Sequence, residues 1–122
     1  MNLLENYQIK VVKKSKEEII IEMPITEIHL QPFGMLHGGV NGILIETAAS
    51  LGGMENVETD GYVVGLDLQV NHIRSVNSGV LTTIAMPNHV GKTTQVWEAI
   101  VYNDSQQKIA VGRCTLLNQK KN

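Results

Sequence analysis

Apolar and polar residues alternate along most of this chain, and the alternation predicts several β-strands. Two short β-branched runs, YQIKVV (7–12) and EEIIIEMPI (17–25), predict a first hairpin or two edge strands. Beyond residue 60, turn residues separate four longer segments: YVVGLDLQVNHIRS (62–75), VLTTIAMP (80–87), KTTQVWEAIVYN (92–103) and QKIAVGRCTLLN (107–118). The short turns between these segments favour a meandering antiparallel sheet.

The stretch over residues 26–56 breaks this alternation. Pro32 and three glycines predict a loop over residues 26–39. The next segment, VNGILIETAASLGGMEN (40–56), predicts a helix with apolar residues around most of its circumference, which is typical of a buried helix. Only the concave face of a curled sheet could cover it. The sequence therefore predicts one α+β domain over residues 1–122, with about six antiparallel strands wrapped around one long central helix.

The longest predicted strand indicates which face meets the helix. Val64, Leu66, Leu68 and Val70 alternate with small or polar residues, which predicts that the four side chains share the helix-facing side. The same parity places His72 on that side, where it is either a hydrogen-bonded core group or a catalytic one. One helix cannot cover both faces and all edges of such a sheet, so we expect the chain to self-associate.

Composition and charge exclude several classes of function. The net charge of −2 and the isoelectric point of about 6.0 do not indicate the basic surface that binds nucleic acid. No apolar run reaches the length of a membrane span, and the first residues lack a signal-peptide pattern, so we expect a cytoplasmic protein. The single Cys114 excludes an internal disulfide and fits a reducing compartment. The histidines show no metal-ligand spacing, so no metal site is expected: His29, His37, His72 and His89.

Glu46 is a charged residue in the middle of the apolar helix. Its same-face neighbours one and two turns away are all small: Gly42, Ala49, Ser50 and Gly53. Small neighbours predict a groove beside the carboxylate. A carboxylate next to apolar surface costs free energy unless it is paired or serves a chemical purpose. Two interpretations follow from the helix alone: a functional carboxylate, or one that points into solvent or pairs with Arg74 or Arg113.

The tripeptide His37-Gly38-Gly39 comes just before the predicted helix. The first N–H groups of a helix have no internal acceptor and carry the positive end of the helix dipole. Glycine lets a ligand approach those amides closely. The arrangement suits a carbonyl oxygen that gains negative charge during a reaction, although an ordinary glycine-containing helix entry has the same pattern.

Three blocks in this order resemble the hotdog-fold acyl-CoA thioesterases: QPFGMLHGGVNGILIETAAS (31–50), VVGLDLQVNHIRSVNSG (63–79) and HVGKTTQVWEAIVYNDSQQKIAVGRCT (89–115). The likeness extends over residues 26–117. It is greatest for the group that contains the menaquinone-pathway 1,4-dihydroxy-2-naphthoyl-CoA thioesterases and the enterobactin-pathway proofreading thioesterase. The resemblance implies a hotdog fold, a homodimer or homotetramer with the active site at the dimer interface, and no cofactor, because CoA is part of the substrate.

The resemblance also implies roles for individual residues. Glu46 looks like the catalytic carboxylate, which acts as general base or as nucleophile. The Gly38 N–H looks like the donor that polarises the thioester carbonyl. Gln31 and His37 look like residues that position the thioester.

Further residues resemble positions that surround the acyl group and CoA in this family. Ser50 and His72 look like residues near the acyl group and the attacking water. The implied substrate- and CoA-binding positions are Gly39, Met54, His89, Val90, Gly91 and Lys92, and Lys92 is a candidate partner for a CoA phosphate.

The resemblance favours an acyl-CoA thioesterase that prefers aromatic acyl groups to long fatty chains. Two alternatives stay open, namely a non-catalytic acyl-CoA binding module and a thioesterase that acts on an acyl group bound to a carrier protein. A hotdog dehydratase fits poorly, because that chemistry places its histidine and acid at other positions.

Overall fold

A computed structural model of the chain describes residues 1–121 as an antiparallel sheet curled around one long helix. The strands are β1 (Lys10–Lys14), β2 (Ile19–Pro24), β3 (Gly61–His72), β4 (Val80–Val90), β5 (Thr94–Tyr102) and β6 (Lys108–Lys120). The helices are the short α1 (Leu3–Asn6) and the central α2 (Gly38–Glu55), with a 3-10 turn at Glu27–His29. The predicted α+β architecture of about six strands around one helix is confirmed.

The strands lie in the order β1-β2-β4-β5-β6-β3. β1 and β2 form the predicted hairpin, and β4, β5 and β6 form a meander. β3 pairs with β6 at the far edge of the sheet and does not lie between β2 and β4. The prediction of a continuous meander is therefore wrong for β3, because α2 carries the chain across the sheet before that strand begins.

The core lies between α2 and the concave face of the sheet. Its fully buried members include Ile19, Ile21, Met23, Leu44, Ile45, Ala48, Leu81, Trp97, Val101 and Leu116. Buried residues alternate along β2, β4 and β5, and the helix presents apolar residues over most of its circumference. The helix is thus held by burial of apolar surface against the concave face of the sheet.

The small residues of α2 let the sheet approach the helix closely. A Cβ added at Gly52 would overlap the indole ring of Trp97, and one at Gly53 would lie 2.6 Å from Leu116 Cδ1. Among the small residues predicted to leave a groove beside Glu46, Gly53 is thus covered by Leu116 and Val63, whereas Ser50 stays half-buried. The predicted groove is filled at Gly53 and stays partly open beside Ser50.

A β-bulge interrupts β3 near its middle. Gly65 lies opposite Leu116 on β6, and Asp67 lies opposite Thr115, so Leu66 is an extra residue in β3. Because side chains alternate with a period of two, one extra residue exchanges the two faces of the strand beyond it.

The bulge changes which residues of β3 face the helix. Val63, before the bulge, packs near Gly53 of α2, and Leu68, after the bulge, packs near Gly42. Val64 alternates with the helix-facing Val63, and Leu66 is the extra residue of the bulge, so the prediction that they share the helix-facing side with Leu68 is wrong. Their apolar side chains are 40% and 56% exposed.

None of the helices within residues 1–121 is long and apolar enough to cross a membrane.

Candidate active site

The N-terminal end of α2 presents an open backbone amide. The helix begins at Gly38, two residues before the predicted start, so both glycines belong to its first turn. His37 is the N-cap: its Nδ1 accepts the Gly39 N–H at 2.9 Å, and its carbonyl accepts the Val40 N–H at 3.0 Å. The structure records no acceptor for the Gly38 N–H among residues 1–121. This amide is therefore available to a ligand, at the positive end of the helix dipole.

The loop before α2 is held by its own hydrogen bonds. The Gln31 N–H donates to the Met35 carbonyl at 2.8 Å, and the Gln31 side-chain oxygen accepts the Phe33 N–H. The His37 N–H donates to the His29 carbonyl at 2.9 Å. Gln31 uses its oxygen within the loop, so its side-chain NH2 is the group that it can offer to a ligand.

Glu46 lies on the exposed side of α2, against the edge strand. A Cβ added at Gly65 of β3 would overlap its carboxylate, so the acid occupies space that only a glycine leaves open. Arg113 pairs with Glu98 at 3.3 Å, and no ion pair within residues 1–121 involves Glu46. The interpretation in which Arg74 or Arg113 neutralises Glu46 is therefore wrong, and the carboxylate is free.

Cys114 lies in β6 with its side chain fully buried. Burial raises the pKa of its thiol to about 11, and the charges of Glu46 and Asp67 add to the effect. The thiol is thus protonated at neutral pH and is a poor nucleophile. Cys114 is therefore a packed residue rather than a reactive one.

His72 lies beside the open amide. A Cβ added at Gly38 would lie 2.9 Å from Cε1 and 3.1 Å from Nε2 of the His72 ring. The buried side chain of Asn41, which sequence reasoning did not single out, contacts the same ring. A pocket of about 190 Å³ opens at this place and is lined in part by all three residues.

Ser50 and Met54 follow Glu46 at intervals of one helical turn. Ser50 is half-buried and Met54 is exposed, so the three side chains form a partly open stripe along α2. Their spacing of four residues is visible in the sequence, whereas the exposure of the stripe follows from the position of β3 at the sheet edge.

The residues implied to bind CoA lie where β4 turns into β5: His89, Val90, Gly91 and Lys92. Asn118 of β6 donates to the carbonyls of Gly91 and Lys92 at 3.0 and 3.1 Å. Gln95 donates to the Asn118 side chain at 2.9 Å and to the Gly53 carbonyl at 3.1 Å. This chain of amides, of which Gln95 is fully buried, ties the turn to the C-terminal end of α2, a link that the sequence did not predict.

Within one chain, the implied site residues lie in three separate places along α2. Gly38 and Glu46 are eight residues apart, which is about 12 Å along a helix axis. Gly53, next to the β4–β5 turn, is a further seven residues, or about 10 Å, away.

His29 is a buried histidine near the site. Its Nδ1 accepts the Thr26 N–H at 2.9 Å, and its ring packs edge-on against Tyr7. Burial lowers the pKa of His29, and its Nε2 has no partner among the described residues. No three His, Cys, Asp or Glu side chains in residues 1–121 are close enough together to hold a metal ion.

Comparison with known sequences gives one family and several related proteins. Residues 33–110 match the family described as the thioesterase superfamily. The 1,4-dihydroxy-2-naphthoyl-CoA hydrolase of Listeria monocytogenes is 39% identical over 121 residues, which are 99% of this chain and 98% of that protein. The proofreading thioesterase EntH of Cronobacter turicensis is 30% identical over 111 residues, which are 91% of this chain and 81% of that protein.

Solved structures show the same fold. A mutant of the hypothetical protein SAV0944 from Staphylococcus aureus has a TM-score of 0.95 at 37% identity, covering 98% of this chain and 100% of that one. Thioesterase HI1161 from Haemophilus influenzae has a TM-score of 0.91 at 36% identity, covering 96% of this chain and 82% of that one.

Proposed function

Because the chain belongs to the thioesterase superfamily, we propose that it hydrolyses an aromatic acyl-CoA, such as 1,4-dihydroxy-2-naphthoyl-CoA, to the free acid and CoA. The reaction type predicted from the sequence, thioester hydrolysis, is confirmed by that membership. The observation that carries the finer proposal is the free carboxylate of Glu46 on the same helix as the open Gly38 amide. CoA enters as part of the substrate, and the reaction uses no cofactor.

The two groups supply what thioester hydrolysis requires. As general base, Glu46 takes a proton from water while the water oxygen bonds to the thioester carbon. The carbonyl electron pair moves to oxygen, where the Gly38 N–H and the Gln31 NH2 stabilise the charge. The pair then returns, the carbon–sulfur bond breaks, and CoA leaves as a thiolate. As nucleophile, Glu46 would itself bond to the carbon, and water would hydrolyse the resulting anhydride.

The distance along α2 requires two chains for this chemistry. A carbonyl that is about 3 Å from the attacking group and from its hydrogen-bond donor cannot bridge the roughly 12 Å between Glu46 and Gly38 of one helix. We therefore place the site between two copies, where Glu46 of one protomer meets Gly38 of the partner subunit. A two-fold symmetric pair contains two such sites.

The edge strand offers the surface for this pairing. β3 has twelve residues and a partner strand, β6, on one side only. A long unpaired edge is a template for another strand, and Val64 and Leu66 add exposed apolar area to it. The Glu46 carboxylate lies directly beside this edge, over Gly65. Sedimentation as a monomer at micromolar concentration, with full activity, would contradict the shared site.

A thiol-release assay with a panel of acyl-CoA esters tests the proposal. We expect turnover of naphthoyl- and benzoyl-type esters to exceed turnover of long fatty acyl esters. We expect Glu46→Gln to lower kcat by about 10²- to 10⁴-fold, since the amide cannot accept the proton from water. Glu55→Gln, a change of the same kind on the same helix, is the matched control and should retain wild-type turnover.

Near-wild-type turnover of Glu46→Gln would show that the carboxylate has neither proposed role. Tight binding of CoA esters in calorimetry without release of thiol would favour the non-catalytic binding module. Turnover of acyl groups on a carrier protein, but not of free CoA esters, would replace the proposed substrate with the carrier-bound alternative.

A further inference from the structure

Asn41 is a buried polar residue in the first turns of α2 that the mechanism above does not use. Its side chain is 3% exposed, and its Nδ2 lies 3.1 Å from Nδ1 of His72, 31 residues further along the chain. Its Oδ1 has no partner among the described residues. An unpartnered buried oxygen lowers stability, so stability alone does not account for an amide at this position.

The contact fixes a ring at the edge of the fold. His72 is the last residue of β3, and its strand neighbour is Ala110 of β6 on one side only. The ring lies against Gly38, whose missing side chain gives it room. Asn41 is the polar group that holds the ring in this orientation from the helix side.

The orientation of the Asn41 amide sets where the ring carries its proton. With its NH2 turned to the ring, as here, the amide donates to Nδ1, which is then unprotonated. In a neutral imidazole the proton is then on Nε2, the nitrogen next to Gly38. We propose that Asn41 is a positioning residue that holds His72 as its Nε2–H tautomer, with this donor beside the open amide at the start of α2.

The consequence for catalysis rests on the proposed function. A thioester whose carbonyl binds at the Gly38 N–H would meet a second N–H donor on the adjacent ring. A donor fixed before the substrate arrives needs no reorganisation during the reaction. Loss of Asn41 would free the His72 ring to exchange tautomers. In the other tautomer Nε2 is an acceptor, where the carbonyl requires a donor.

The test is a side-chain ¹H–¹⁵N NMR spectrum of the protein with labelled histidine, because it reports the tautomer directly. We expect the His72 ring of the wild-type protein to show a protonated Nε2 and an unprotonated Nδ1. In Asn41→Asp the group at position 41 can only accept, so the proton should move to Nδ1. Asn41→Leu, of similar volume, should give a mixture of tautomers.

Kinetics on the same proteins link the tautomer to turnover. We expect kcat to fall about 10-fold in both variants, the equivalent of roughly one hydrogen bond, with KM changed less than about twofold. Thr83→Val is the matched control, because Thr83 is also fully buried with an unpartnered oxygen and lies away from the site. It should leave both the tautomer and kcat unchanged.

The outcomes separate this inference from the proposed function. A wild-type spectrum with the proton on Nδ1 overturns it, whatever the activity and even if both variants fail to fold. Unchanged kcat in Asn41→Asp, with the tautomer exchanged, overturns the catalytic consequence. A protein that hydrolyses no thioester but shows the Nε2–H ring would instead overturn the proposed substrate and leave the role of Asn41 in place.

Discussion

The two ends of α2 differ in how their backbone groups are satisfied. At the C-terminal end, the Asn56 side chain donates to the Gly52 and Lys16 carbonyls at 3.0 Å each. The Asn56 N–H and the Gln95 side chain both donate to the Gly53 carbonyl, at 3.1 Å. At the N-terminal end, His37 satisfies the Gly39 and Val40 amides, but the Gly38 amide stays open.

Packing shows the same difference. Trp97 covers the C-terminal end so closely that position 52 has no room for a Cβ. The glycine at the N-terminal end meets the ring of His72, at the rim of a pocket. One helix thus combines an end that is sealed into the core with an end that is open to a ligand. Glycines of similar appearance in the sequence thus allow close packing at one end and leave a backbone amide open at the other.

The largest expected effect on stability comes from adding a methyl group at the packed C-terminal end of α2. In Gly52→Ala the added Cβ would overlap the Trp97 ring, and neither the buried indole nor the helix backbone can move freely. We expect the free energy of unfolding to fall by about 3 kcal/mol, at the upper end of overpacking costs. Urea denaturation measures this change.

Gly39→Ala is the same substitution at the open end, where the neighbouring His37 side chain is exposed and can move. It should change the free energy of unfolding by less than about 1 kcal/mol. Equal losses of stability in the two variants would mean that the ends of α2 do not differ in packing as described.

A smaller effect, on turnover alone, is expected in the middle of α2, where Glu46 lies against Gly65. In Gly65→Ala the new methyl group would displace the Glu46 carboxylate, which is the mobile end of a long side chain. We expect kcat to fall about 10- to 100-fold, because a misplaced catalytic group loses rate steeply, while the urea midpoint stays within experimental error. The thiol-release assay and urea denaturation together check this outcome.

The matched control is Gly42→Ala on α2, where a Cβ would lie at an ordinary 3.4 Å from Leu68. This variant should retain kcat. Wild-type turnover in Gly65→Ala would show that the space left open at Gly65 does not position the Glu46 carboxylate.

The smallest expected effect is on the pH dependence of stability, and it comes from His29 in the loop before α2. Burial lowers the pKa of His29 below its ordinary value of 6.5, so the folded chain binds fewer protons there than the unfolded chain. His29 thus contributes stability above pH 6.5 that is lost as pH falls below this value toward the folded-state pKa. Unfolding measured from pH 7.5 to 5 should show this loss, and it should be weaker in His29→Gln. An identical pH dependence in both proteins would show that the loss of stability does not come from His29.

Much of the site could be predicted because it is local in sequence. Gly38 and Glu46 lie on one helix, and His37 caps that helix, so three residues of the proposed site follow from a single element. The helix-facing side of β3 could be predicted only in part. Leu66 continues the apolar alternation, so nothing in the pattern marks it as a bulge, and the exchange of faces appears only in the register with β6.

The sequence also did not predict what fills the space beside the glycines of α2. Sequence reasoning interpreted Gly53 as empty space beside Glu46, whereas Leu116 of β6 fills that space. A sequence indicates that a residue is small. It does not indicate which side chain occupies the volume, because that side chain comes from a strand more than 40 residues away.

The number and kind of elements, the buried helix and the candidate site residues on it follow from the sequence alone, since these depend on periodicity and on neighbours within a few turns. Tertiary structure alone decided that β3 is an edge strand beside Glu46, that Asn41 meets His72, and that the β4–β5 turn is tied to the end of α2. The physical reason is that strand order and register set these long-range contacts, and a single bulge or crossing changes them without altering the local pattern.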